Sequence, residues 1–139
     1  MTERFIYEVI RKHRLAVLAT TSMDLQPEAA VVGIAVTPGL EIVFDTVRSS
    51  RKYRNLVAQP RVAVVIGMKN EITTQYEGVA VELRGPEDDA YREAYYAVFP
   101  DGRERAATWE GLVHFVVRPR WIRYSNYNEP VQIEELRFD

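Results

Sequence analysis

The sequence predicts a mainly β protein, in which six or seven antiparallel strands form a barrel and two or three helices lie at its periphery. Two observations lead to this fold class. Apolar segments of strand length recur along the chain with short polar turns between them, and only three segments have helical periodicity. Since no linker or repeat divides the chain, we expect one domain over residues 1–139.

The first half of the chain combines one helix with a series of hairpin strands. Thr2 is a suitable N-cap for a helix over 2–13, and strands are predicted over 14–22, 28–36 and 41–46. The turns MDLQP and TPGL that separate these strands are short. Short turns of this kind connect antiparallel neighbours, so we expect antiparallel pairing.

The second half predicts two more helices and the remaining strands. The first of these helices begins at Ser49 or Ser50 and ends before Pro60. The elements after it are strands over 61–68 and 72–83, a helix over 86–99, and strands over 111–125 and 131–138.

Two of the predicted strands are apolar on both faces. Residues 31–36 and 62–66 carry apolar side chains at nearly every position. One face is expected to lie inside the barrel. The other is expected to lie under a helix or a partner subunit.

Composition excludes several classes of protein. The net charge of −2 gives no general attraction to nucleic acid or to an acidic membrane surface, and the absence of cysteine excludes disulfides and thiolate chemistry. The amphipathic N-terminus MTERFIYEVIRKH is unlike a signal peptide, and no apolar run approaches the length of a membrane span. We therefore expect a cytoplasmic protein that binds neither nucleic acid nor membrane.

The sequence shows no self-contained catalytic or metal site. His13 and His114 have no carboxylate at metal-ligand spacing, and no GxSxG, GxGxxG or Walker sequence is present. We interpret His13 as a cation at a helix end and His114 as a strand residue whose hydrogen bonds are satisfied. Catalytic residues stay unassigned, and no metal is expected.

The segment TVRSSRKYRNLVAQP (46–60) places positive charge where a helix disfavours it. It contains Arg48, Arg51, Lys52 and Arg54. The free N–H groups at a helix start are already positive, so cations there become favourable only when an anion joins them. A solvated basic face is one explanation. We favour a bound phosphate that accepts hydrogen bonds from the cap N–H groups, a serine hydroxyl and the Arg51 guanidinium.

The same segment resembles a known family. IVFDTVRSSRKYRNLVAQPRVAVVI is similar to the signature of the FMN-binding split-barrel flavoproteins, the group related to pyridoxamine 5'-phosphate oxidase. LAVLATTSMDLQPEAAVVGIAV is similar to the first two barrel strands of that family, and TTQYEGVAVEL to the strand carrying a flavin-contacting glutamine. The resemblance spans roughly residues 10 to 125 and implies a split-barrel homodimer with one flavin at each end of the subunit interface.

The resemblance also implies which residues hold the FMN. Arg51 and Lys52 would bind its phosphate. The other residues implied in cofactor binding are the hydroxyls of Thr46 and Ser50, the side chains of Gln75 and Trp121, and the backbone of Val31, Val32, Gly33 and Ile34. For Trp121 an interface or core position without cofactor contact is an equal alternative, and Trp109 is the second candidate for that contact.

Two departures from the family pattern bear on cofactor and substrate. Where the vitamin oxidase has a phosphate-binding arginine, this chain has Ala29 and Ala30, and Arg48 is the candidate replacement. The C-terminal VQIEELRFD shows no motif like the one with which that oxidase holds pyridoxal phosphate through arginine and aromatic residues. Vitamin oxidase activity is therefore not expected.

Three functions stay open. The first is an FMN-dependent oxidoreductase that transfers electrons or hydride between small molecules of unknown identity. The second is a reductase of the same barrel that uses a deazaflavin coenzyme. The third is a non-catalytic flavin-binding or sensing module.

Overall fold

The eight strands form one antiparallel sheet that curls into a half-barrel, described over residues 1–139 in this computed structural model. The strands are β1 Leu15–Thr21, β2 Pro27–Gly33, β3 Ala35–Val36, β4 Ile42–Val47, β5 Arg61–Lys69, β6 Ile72–Glu82, β7 Leu112–Asn126 and β8 Gln132–Arg137. Their order in the sheet is β2-β1-β5-β6-β7-β4-β3, and β8 pairs with the second half of β7. The predicted fold class is confirmed.

Four α-helices lie around the sheet: α1 Glu3–Ile10, α2 Arg51–Ala58, α3 Asp89–Val98 and α4 Gly102–Thr108. A 3-10 turn, Pro86–Asp88, precedes α3. Thr2 caps α1 as predicted, because its hydroxyl accepts a hydrogen bond from the backbone N–H of Phe5 at 3.0 Å. None of the helices combines the length and the hydropathy needed to cross a bilayer.

The segment predicted as one strand over 28–36 is two strands in the structure. β2 pairs with β1 and β3 pairs with β4, so the chain changes partners at Ile34. These two strands are the opposite ends of the sheet, yet one residue separates them along the chain. The sheet must therefore curl until its ends meet, and this closes the half-barrel.

The main core lies on the concave side of the sheet. Ile6 and Ile10 of α1 and Leu56 of α2 pack there against the inward-facing residues of the strands. Tyr76 of β6 is fully buried, and its hydroxyl lies 2.7 Å from the carbonyl of Leu40 and 3.0 Å from that of Val117. On the other side of the sheet, α3 packs Tyr95 over a smaller cluster that includes Val43 and Val116.

The convex side of β1, β2, β5 and β6 stays uncovered within one chain. Val31, Val17, Val65 and Gln75 are directly opposite one another in the strand register, and they form a continuous row across four strands. Val31 is 64% exposed and Val65 is 37% exposed, whereas their neighbours Val32 and Val64 are buried. Within one chain β2 and β5 therefore bury only one of their two apolar faces. Ile34 and Ala35, at the end of the segment 31–36, are both buried, and Ala35 lies in the cluster under α3.

Candidate functional site

The N-terminus of α2 has the arrangement that the sequence predicted. Ser50 is the N-cap, with an extended backbone, and its Oγ accepts a hydrogen bond from the N–H of Tyr53 at 3.2 Å. Arg51 and Lys52 are the first two helical residues, and the first turn contains no acidic side chain. The helix therefore begins with two cations and no acidic residue of its own to offset them.

Two hydroxyls and an ammonium group meet beside this helix start. Thr46, near the end of β4, has its Oγ1 atom 2.9 Å from the Oγ of Ser50. Lys52 Nζ lies 3.5 Å from Thr46 Oγ1. Thr46 is buried and Lys52 is half-buried, so both are held in place by the fold. One of the two hydroxyls donates to the other. The remaining hydroxyl proton, the ammonium group and the free helix N–H groups form a set of donors that suits phosphate oxygens.

Arg51 lies on the opposite side of the helix start and has a carboxylate neighbour. Its Nε atom is 2.8 Å from Oε1 of Glu28, which is on the inward face of β2. Glu28 Oε1 also accepts a hydrogen bond at 2.8 Å from the amide of Asn55, and that amide donates to the hydroxyl of Thr20 at 2.9 Å. Glu28, Asn55 and Thr20 were not predicted as site residues. The sequence signal for Glu28 is a charge at a position in phase with the apolar Val32 along β2.

A cavity of about 80 Å³ lies between α2 and the strands β1 and β2. Arg51, Lys52 and Glu28 line it together with Leu18 and Ala30. Its volume is well above the ~15 Å³ that one water molecule requires, so a small anionic group has room there. Ala30, which the resemblance places in the position of a phosphate-binding arginine, has only a short side chain at this cavity.

Arg48, the candidate replacement for that arginine, is directed elsewhere. Its Nη2 atom lies 3.3 Å from Oε2 of Glu82 on β6, and the same carboxylate accepts a hydrogen bond from the hydroxyl of Tyr53 at 2.9 Å. Arg48 has no hydrogen bond to Thr46, Ser50 or Arg51 within one chain. The basic segment is therefore divided between two locations.

Gln75 and Trp121 lie on the uncovered face of the sheet. Gln75 is exposed and stands between Val65 of β5 and Arg123 of β7. Trp121 is half-buried, is paired with Glu77, and has the guanidinium of Arg123 5.5 Å from its ring centroid. Neither side chain has a hydrogen bond or ion pair to Thr46, Ser50, Arg51 or Lys52 within one chain. The predicted cofactor-binding side chains therefore form two groups, one at the start of α2 and one on the uncovered face of the sheet.

The residues predicted to line a ring alternate along β2. The side chain of Val31 is exposed on the uncovered face, whereas Val32 and Ile34 point into the core. Gly33 faces the ring of Phe99, whose Cζ would lie 2.8 Å from a Cβ added at that position. Because β2 is an end strand of the sheet, one edge of its backbone is available to a ligand or another chain.

The prediction that the hydrogen bonds of His114 are satisfied is wrong for its Nε2 atom. It lies on β7 opposite Asp45 of β4, is enclosed by the rings of Tyr95 and Tyr96, and its Nε2 atom has no hydrogen-bond partner. Burial lowers the pKa of His114 below its ordinary value of 6.5, the charge of Asp45 opposes this shift, and Arg92 and Arg105 add to it. The Oδ2 atom of Asp45 also lacks a hydrogen bond, and the Arg105 guanidinium is 3.5 Å from it.

The comparisons with known proteins agree with this fold. The sequence profile of the family described as pyridoxamine 5'-phosphate oxidase matches residues 2–126, which is most of the chain. The protein therefore belongs to the pyridoxamine 5'-phosphate oxidase-like split-barrel family. No protein of curated function matches the sequence at a significant level.

Several solved structures have the same architecture. A heme-binding protein from Mycobacterium smegmatis superposes with a TM-score of 0.82 at 18% identity, over 99% of this chain and 58% of that protein. ChuZ from Campylobacter jejuni gives 0.80 at 12% identity, over 97% and 58%. General Stress Protein 26 from Bacillus anthracis str. Sterne gives 0.74 at 21% identity, over 99% and 100%. The chain spans little more than half of the first two proteins, and at these identities the likeness shows the fold alone.

Proposed function

We propose that this protein binds FMN and acts as a flavin-dependent oxidoreductase on a small molecule. The observation that carries the proposal is the helix start of α2, where Arg51 and Lys52 lie beside the hydroxyls of Thr46 and Ser50 without an acidic residue in the first turn. Members of this family commonly bind flavin, and the FMN phosphate would satisfy this donor set.

Gln75 and Trp121, the second group of residues, would contact the isoalloxazine ring in a homodimer. Members of the family are usually dimeric, and the uncovered row of Val31, Val17 and Val65 provides an apolar surface for a two-fold contact. We call Thr46, Ser50, Arg51 and Lys52 the phosphate seat. Within one chain Gln75 and Trp121 are separate from it. We therefore assign the phosphate seat to one subunit and Gln75 and Trp121 to its partner.

In this arrangement the chain binds and orients, while the cofactor supplies the chemistry. Bound FMN would supply hydride and electron transfer. Lys52 and Arg51 neutralise the phosphate charge, and the hydroxyls of Thr46 and Ser50 fix its position. The valine row excludes water from the interface, and the Gln75 amide offers both a donor and an acceptor to the ring or ribityl chain. We place this activity in the cytoplasm, where reduced nicotinamides are available.

Three other ligands or roles compete with this proposal. A deazaflavin coenzyme would use the same cations for its phosphate, and a sensing module would bind flavin without turnover. Haem is a third candidate because one structural neighbour is a heme-binding protein. Each predicts a different spectrum or a different response to a reductant.

The test is anaerobic reduction of the purified protein after separate loading with FMN, a deazaflavin coenzyme or hemin. We expect the FMN-loaded protein to show a flavin spectrum that NADH or NADPH bleaches. Reduction only in the deazaflavin-loaded protein would replace FMN by that coenzyme. Tight hemin binding with no flavin uptake would overturn the proposal, and flavin uptake without any reduction would leave a binding module.

A further inference from the structure

Arg51 is held by a series of side-chain contacts that begins in the protein interior at Thr20. Thr20 of β1 accepts from the Asn55 amide, and Asn55 of α2 donates to Glu28 of β2. Oε1 of Glu28 then lies 2.8 Å from Nε of Arg51. Three separate elements of the fold are therefore tied together directly behind one cation of the phosphate seat.

The side chains in this series of contacts become more exposed from Thr20 towards Arg51. Thr20 and Asn55 are buried, the Glu28 side chain is 14% exposed, and the Arg51 side chain is 67% exposed. The contacts run from the interior outward and end at the guanidinium. A guanidinium held only at its inner edge presents its outer edge to whatever binds at the surface.

The contact between Glu28 and Arg51 leaves the guanidinium available. It is an ion pair through Nε, and neither Nη1 nor Nη2 of Arg51 donates a hydrogen bond within the chain. A carboxylate that competed with phosphate would form a bidentate pair with the guanidinium, with two parallel N–H···O hydrogen bonds. Glu28 Oε1 is instead shared with Asn55.

We propose that Glu28 is a positioning residue that aims Arg51 at the phosphate of the bound ligand, a role that rests on the proposed function. A free arginine side chain loses rotamer entropy when a ligand immobilises it. The ion pair with Glu28 restricts Arg51 before the ligand arrives, so less of that entropy is lost on binding. Asn55 fixes Glu28 and thus acts one step further back.

The test is a double-mutant cycle in FMN affinity between Glu28→Gln and Arg51→Ala. Glutamine keeps the size of the side chain and an acceptor for Asn55 but removes the charge that holds the guanidinium. We expect Glu28→Gln to weaken FMN binding about three- to ten-fold in the wild-type background and to have no effect in the Arg51→Ala background. Glu28→Asp, which withdraws the carboxylate by one methylene, should weaken binding in the same Arg51-dependent way and serves if Glu28→Gln does not fold.

Two outcomes would overturn the inference. Tighter FMN binding in Glu28→Gln would make Glu28 a competitor of the phosphate, and an equal loss in both backgrounds would make its effect structural. Inorganic phosphate serves as a second probe, followed through the Nε–H NMR signal of Arg51. If wild-type protein binds phosphate with the same coupling but does not bind FMN, the proposed function fails while the positioning role stands. If it binds neither probe, both fail.

Discussion

At the residue scale, the charges at the start of α2 act against the helix that carries them. Arg51 and Lys52 face the positive end of the helix dipole, where a cation costs about 0.3–1 kcal/mol at an exposed position. Glu28 offsets part of this for Arg51, whereas the nearest partner of Lys52 is a neutral hydroxyl. A bound anion is the partner that this arrangement lacks.

His114 makes stability depend on pH. Because burial depresses its pKa in the folded protein, the unfolded chain takes up the proton more readily. The stabilisation from a neutral His114 is therefore complete above its ordinary pKa of 6.5 and is lost as the pH falls below that value. We expect the free energy of unfolding to decrease there by up to about 1.4 kcal/mol per pH unit.

Urea unfolding between about pH 5 and pH 8 measures this dependence. His114→Gln cannot titrate, so its stability should vary less steeply with pH than that of the wild type, whatever its absolute stability. Equal slopes in the wild type and His114→Gln would show that the charged groups around His114 compensate its burial.

Only some of the residues around the phosphate seat could be predicted from the sequence. Ser50, Arg51 and Lys52 were predictable because capping and the helix dipole depend on neighbours in the chain. Glu28 and Asn55 were not, since their contact joins residues 27 positions apart through the packing of β2 against α2. The unpartnered state of His114 likewise depends on how α3 and α4 cover β7.

At the element scale, local signals located most strands and helices to within a few residues. The predicted strand over 28–36 was divided because a change of pairing partner at Ile34 leaves no mark in an apolar sequence. Helix α4 was missed because Gly102–Thr108 is short and polar and begins immediately after a proline turn. Both differences arise where tertiary contacts decide the structure.

In the proposed arrangement, one chain supplies only part of the site. β4 and α2 carry the proposed phosphate-binding residues, and β6 and β7 carry Gln75 and Trp121 on the uncovered face. The two groups lie on different surfaces of the same sheet. A second subunit provides the simplest means of joining them.

At the scale of the whole molecule, we expect a homodimer that shares its flavin sites. Light scattering should give about twice the 16.0 kDa chain mass at micromolar concentration. Val65→Glu places a charge in the uncovered valine row and should both separate the chains and weaken FMN binding. Val57→Glu, at an exposed position on α2, is the matched control. A monomer that keeps FMN tightly bound would contradict the shared site.

The most direct measurement of the central claim compares the affinities of FMN and riboflavin, which differ only in the phosphate. A charge-assisted hydrogen bond is worth about 1.5–3 kcal/mol, so several of them should make FMN bind at least about a hundred-fold more tightly. Arg51→Ala and Lys52→Ala should each lose about ten- to a hundred-fold in FMN affinity and little in riboflavin affinity. Arg54→Ala, an exposed arginine on the same helix, should change neither. Equal binding of FMN and riboflavin by the wild type, or unchanged FMN affinity in both variants, would contradict a phosphate seat at the start of α2.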